Sequence, residues 1–211
     1  MRKVILFVAL LGSIVSCTKD PIMYTFKGHA IEDQNGEALA GVEISISQKP
    51  FSTQVLNSNY ESVGSVTTDA NGNYELTFER TKVTEFKVEI EKQGYFYQEI
   101  IIGSGDVSSE NDNIIDIEME AQSFVQFLIQ NTGQAESTDL LNLLLLNPKT
   151  GCPACPETDS YYYEGVVDTI VTFPTDAGRY YNFTYINVGV NSKTDSVFVT
   201  PFDTIIYSIN Y

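Results

Sequence analysis

Three cysteines, one histidine and 28 acidic side chains carry most of the reactive potential of this 211-residue chain. Cys152-Pro153-Ala154-Cys155 has the spacing of a dithiol pair. Redox work at such a pair needs a thiol of depressed pKa, commonly at a helix N-terminus, and nothing nearby reads as a strand leading into a helix. A zinc site would need two further ligands, and once Cys17 is set aside His29 alone is left. A structural disulfide stiffening a Pro-flanked loop fits an oxidising compartment; free thiols and a redox or metal role are the alternatives. Asp69, Asn71, Asn73 and Glu75 alternate like the start of a calcium loop, which must close on a bidentate glutamate between helices. A tyrosine-containing strand begins at once instead, so a hairpin turn is predicted. No Ser/His/Asp set, no HExxH and no glycine-rich phosphate loop is present. Any two of so many acids could meet in space, which keeps a cryptic carboxylate-dependent hydrolase as an alternative, but nothing selects a pair. The chain reads as non-enzymatic, with no cofactor and no metal.

Recognition chemistry resides in tyrosine. Eight of the 13 tyrosines lie at or beyond position 161. In Tyr161-Tyr162-Tyr163, pleating sends the middle ring to the face opposite its neighbours. Some of these rings, with Tyr180 or Tyr181, could form an exposed platform that stacks on a sugar or a partner protein. Against this, tyrosine is a favoured strand residue and the chain has no tryptophan. Asp168-Thr169-Ile170, Asp195-Ser196-Val197 and Asp203-Thr204-Ile205 share an Asp, hydroxyl, aliphatic pattern. It resembles the acceptor for general O-glycosylation in some gram-negative bacteria, marking Thr169, Ser196 and Thr204; the same pattern also simply begins a strand.

The N-terminus has three parts in order. Arg2 and Lys3 precede an apolar stretch from Val4 to Val15, and Ile14-Val15-Ser16-Cys17 ends it before polar chain resumes at Thr18. The stretch is shorter than a membrane span, which needs about 20 apolar residues. The small Ser16 before a cysteine resembles the lipobox of bacterial lipoproteins, with Ile14 where leucine is more frequent. The resemblance implies cleavage after residue 16, acylation of Cys17, and a lipid-anchored cell-envelope location, with the outer membrane expected. Residues 17–23 would be a short tether. Removal of residues 1–16 leaves 195 residues of net charge −18. Phosphate backbones repel such a chain, which excludes nucleic acid as partner.

Beyond the tether the chain reads as strands. Val42, Ile44 and Ile46 share one face, with Glu43, Ser45 and Ser47 on the other; Tyr74–Glu79 and Phe86–Glu91 alternate likewise. Asn35-Gly36, Asn71-Gly72 and Gly103-Ser104-Gly105 punctuate them. Fourteen such runs predict an all-β chain of two antiparallel β-sandwich domains in tandem, over 24–120 and 121–211. Leu140–Leu146 fits a doubly covered strand better than a capped helix.

Gly28–Gly41 with Val42, the hairpin Thr67–Leu76 and the step Gly94-Tyr95 together resemble a carboxypeptidase regulatory-like domain, a transthyretin-type sandwich, over roughly 24–120. The resemblance implies a scaffold and carries over no catalytic site. Hydrolases of the transthyretin group are set aside, since the chain ends Tyr207-Ser208-Ile209-Asn210-Tyr211 and has a single histidine. The combined expectation is a lipid-anchored, non-catalytic binding or structural module for another envelope protein or a glycan, attached to the membrane through its N-terminal lipid. A glycan-binding accessory lipoprotein using the second-half tyrosines is the alternative.

Overall fold

The structure is a computed structural model and describes residues 20–51, 59–132 and 139–211, so Cys17 and the leader lie outside the described residues. The described chain is all-β. Its first half contains β1 (Met23–Glu32), β2 (Glu43–Pro50), β3 (Glu61–Thr67), β4 (Asn73–Glu79), β5 (Val83–Glu91), β6 (Gln98–Gly103), β7 (Asn113–Ile114) and β8 (Ile117–Met119). The second contains β9 (Ser123–Gln130), β10 (Leu140–Leu145), β11 (Ser160–Glu164), β12 (Asp168–Thr175), β13 (Arg179–Asn187), β14 (Asn191–Val199) and β15 (Thr204–Asn210). The leucine run is strand β10, with Leu141, Leu143 and Leu145 buried on alternate positions.

In each half two sheets enclose one apolar cluster. Phe26, Phe78 and Met119 from one sheet meet Ile44, Phe86 and Ile90 from the other, and Phe127 and Ile209 meet Leu143, Tyr181 and Phe183. β4-β1-β7, with β8 also on β1, faces β3-β2-β5-β6; β12-β9-β15 faces β11-β10-β13-β14. Counting β7 and β8 as one broken strand, both halves share one plan: fourth, first and seventh strands against third, second, fifth and sixth. No sequence repeat announced it.

The pairing is antiparallel with one exception in each half. β7 and β8 run parallel to β1, and β15 runs parallel to β9. Six reversals of direction leave a seventh strand running with the first, so the strand that closes each small sheet must pair in parallel.

The strand pairing on β1 is interrupted at Ile115 and Asp116, between β7 and β8. Ile115 N–H donates to the Lys27 carbonyl, and the Ile115 carbonyl accepts from the Tyr74 hydroxyl at 2.7 Å. That carbonyl sits so close to Gly28 that a Cβ there would lie 1.9 Å from it. Gly28 is thus required by contact rather than by a turn. The neighbouring hairpin is held by Asp69, whose carboxylate accepts the N–H groups of Asn71 and Asn73 at 2.8 and 2.9 Å. Those bonds hold its pKa below the ordinary carboxylate value. Gly28→Ala is expected to destabilise the protein by about 1–3 kcal/mol through overpacking, read as a lower denaturant midpoint at unchanged slope.

Candidate functional site

Two surfaces gather the residues of interest: the junction between the halves and the outward face of β11-β10-β13-β14. The junction is built from three connections. The Tyr95–Ala121 bridge, the Phe96 N–H bond to the Glu120 carbonyl and the Gln122 N–H bond to the Gly94 carbonyl tie the turn after β5 to the start of β9. Aromatic contacts extend this: Tyr95 meets Phe202 edge-on at 5.3 Å, and Phe96 meets Phe124 at 6.4 Å.

Lys149 completes the junction from the connection between β10 and β11. It is 7% exposed, with its ammonium 4.6 Å above the Phe96 ring. The ammonium bonds the Glu120 carboxylate and, at 2.5 Å, that of Asp176, which also pairs with Arg179. Burial alone would lower its pKa; the bonds to Asp176 and Glu120 outweigh that and raise it. Without these partners burial would hold its pKa below the ordinary lysine value.

The disulfide belongs to the same connection. Cys152 and Cys155 are joined with Cα atoms 5.0 Å apart. Gly151, Cys152 and Pro153 line a 560 Å³ cavity with Tyr97, Glu99 and Ile100 of the first half. The bridge therefore stiffens the loop that delivers Lys149.

On the sheet face, strand parity sorts the five candidate tyrosines. Tyr162 and Tyr180 are 63% and 59% exposed. Of the five candidates for the platform, the other three are excluded from it by burial. Tyr181 is fully buried, and Tyr161 and Tyr163 pack on the second cluster, because they share the inward phase of β13 and β11. Phe198, missed from the sequence, is exposed and meets Tyr180 edge-on at 5.3 Å across the β13–β14 pair. Its signal was available: Val197 and Val199 take the inward phase, which leaves Phe198 outside. Between Tyr180 and Tyr162 the face carries Asn142, Leu144, Asn182, Thr184, Ile186, Thr194 and Ser196 and, among the described residues, no charged side chain, while the exposed Glu164 lies just beyond Tyr162 on the same phase of β11. Asn147 braces it, accepting from Asn182 N–H at 2.6 Å and donating to the Tyr180 carbonyl.

Other candidates fall elsewhere. Ser196 and Thr204 are exposed, whereas Thr169 is half-buried on the inward phase of β12. His29 Nε2 bonds the Asn71 carbonyl at 2.7 Å and packs against the hairpin. Glu43, Glu89 and Glu91 edge a 210 Å³ depression with Ser45. Among the described residues no group of three His, Cys, Asp or Glu could hold a metal, and no helix is long and apolar enough to cross a membrane.

No family model matches the chain, and no curated protein matches it by sequence. Solved structures similar to it include the Bacillus anthracis TIE protein, at 11% identity and TM-score 0.36, covering 90% of this chain and 34% of that one. The minor pilin GBS52 of Streptococcus agalactiae is similar at 13% identity and TM-score 0.40, covering 89% and 94%. A Bacteroides uniformis protein, provisionally described as carbohydrate binding, is similar at 13% identity and TM-score 0.34, covering 86% and 98%. The chain thus spans about a third of the TIE protein.

Lys149→Ala is expected to cost about 1–3 kcal/mol, since it strands two carboxylates on a common site. A lysine with a raised folded pKa stabilises fully below its unfolded value near pH 10.4, and that contribution is lost as pH climbs through the raised value. The stability gap between wild type and variant, followed by denaturation, should therefore hold from neutrality to about pH 10 and close above it. Replacing both cysteines with serine should cost no more than about 2 kcal/mol, because so short a loop removes little unfolded-state entropy.

Proposed function

We propose that this chain is a non-catalytic binding or structural module of the bacterial cell envelope, anchored through an acylated Cys17, that presents the outward face of β11-β10-β13-β14 to a partner protein. One observation carries the reading: the chain enters at one end of the first sandwich and the second sandwich is joined at the other. β1 starts at Met23, beside the ends of β2, β4 and β6, while Glu32, Lys92 and Glu120 lie at the junction end. A lipid on Cys17 would then put the first sandwich next to the membrane and the second away from it.

The presented face suits recognition because its only charged side chain among the described residues is Glu164, at the β11 edge, in a strongly acidic protein. Desolvating amides, hydroxyls and aromatic edges costs far less than desolvating carboxylates. Aromatic anchors ringed by such groups are the usual source of binding energy at interfaces. A glycan partner is the second reading, favoured by the Tyr180–Phe198 pair and by the rows of hydroxyls and amides beside it. Ser196 pairs with Asn182 in the middle of this face. A glycan carried on Ser196 would therefore cover the surface that binds, and the two roles exclude each other there.

The test is crosslinking and capture from membranes. Tyr180→Ala with Phe198→Ala should lower recovery of the partner about thirtyfold, as loss of a hot-spot pair of about 2 kcal/mol requires, without moving the unfolding transition. Unchanged capture would remove this face from the account. Cys17→Ser should release the protein from the membrane fraction and abolish the lipid increment in intact mass; continued membrane retention with unmodified mass would overturn the anchor.

A further inference from the structure

The end of the first sandwich at which the chain enters has its own surface chemistry. Here β1 begins, β2, β4 and β6 end, and β5 begins. A 570 Å³ groove crosses this end, lined by Ile22, Tyr24, Phe51, Val83, Arg80 and Lys82 among others, with no acidic residue in its lining. Its floor is tied together by backbone: Arg80 N–H donates to the Ile22 carbonyl at 2.8 Å, and Phe51 N–H to the Lys82 carbonyl at 2.9 Å. Ile22, Met23 and Phe51 are all exposed around it, Phe51 at 59%.

This composition departs from the rest of the half. Residues 20–120 hold 19 acidic and 6 basic side chains, yet two of those six line this groove. Arg80 lies 5.8 Å over the Tyr24 ring and donates to the Ser109 hydroxyl; among the described residues neither Arg80 nor Lys82 has an ion-pair partner, and the acid at this rim is Glu79, opposite Met23. Glu85, the next acid along β5, is held by Lys49 at 3.0 Å and by the Tyr60 hydroxyl at 2.6 Å.

We infer that this end is a membrane-docking surface, in which Ile22 and Phe51 enter the acyl boundary of the bilayer and Arg80 and Lys82 contact anionic phospholipid headgroups. The inference rests on the reading that Cys17 is acylated. Four residues lie between Cys17 and Ile22, a reach of at most about 18 Å over the five steps, so the lipid and the groove must share one patch of membrane. Apolar side chains beside lysine and arginine are the composition that binds an anionic interface. A lipid on a short flexible tether anchors a protein without orienting it, and a second contact made by the folded domain fixes which end faces the bilayer.

The chain contains no tryptophan, so Phe51→Trp creates a single reporter. The acylated full chain carrying it is reconstituted in phosphatidylcholine vesicles with and without phosphatidylglycerol, and quenching by brominated phosphatidylcholine is measured. The reporter should be blue-shifted and quenched when phosphatidylglycerol is present, whereas Tyr162→Trp on the second sandwich should not. Arg80→Gln with Lys82→Gln should lower the ratio of docked to undocked protein about thirtyfold, two basic contacts being lost. Absence of quenching in anchored protein would overturn the inference, as would quenching indifferent to both phosphatidylglycerol and the two basic residues. The same chain carrying Cys17→Ser and an N-terminal hexahistidine, held on nickel-chelating lipid, gives the docking result without acylation. Docking and acylation can then fail separately.

Discussion

A charged ammonium buried where two sandwiches meet constrains the rest of this molecule. Lys149 reaches Glu120, in the segment that links the halves, and Asp176, at the end of β12, while lying on Phe96 from the first half. Each partner comes from a different connection, so the bond geometry can be satisfied in one relative placement of those connections. Removing the ammonium from water is unfavourable by several kcal/mol and is offset only if both carboxylates stay in place. The aromatic contacts of Tyr95 and Phe96 add area, but apolar contacts are non-directional. The ion pairs supply the direction, and the Cys152–Cys155 bridge narrows the conformations of the loop that carries Lys149.

Given that junction, the shared strand plan becomes functionally meaningful. In each half the first strand lies in the middle of the smaller sheet and the last closes beside it, so chain enters at one end and leaves at the other. Stacking two such units separates the entry end from the far sandwich. The two ends then differ in chemistry: a basic and apolar groove at the entry, and amides, hydroxyls and aromatic rings with Glu164 at one edge on the far sheet face. Many of the carboxylates that dominate the composition line the outward faces of the first half, as Glu75, Glu79, Glu89 and Glu91 do, where they keep it solvated.

Much of the fold was legible because a half-buried strand has a period of two. Val42, Ile44 and Ile46 declared their inward face, and so did Phe86, Val88 and Ile90. What periodicity cannot tell is which phase faces inward when both phases look alike. Tyr161, Tyr162 and Tyr163 are identical residues, so their sorting had to come from the strand they pair with. Tyr181 could have been placed, since Phe183 and Tyr185 share its phase against Asn182 and Thr184. The parallel closing strands were not legible, because β15 alternates the same way whichever direction its neighbour runs. Nor was Lys149: its partners lie 29 and 27 residues away, and nothing local distinguishes it from a solvated loop lysine.

The claim that the two sandwiches are held in one orientation by the junction is tested most directly by a distance between them. Spin labels at Glu75 on β4 and Ser192 on β14, both exposed, allow this in otherwise intact protein by pulsed electron spin resonance. The account predicts one narrow distance distribution, the same in detergent and in bilayers, that broadens with Lys149→Ala. A broad distribution in the wild type, or one indifferent to loss of Lys149, would contradict it.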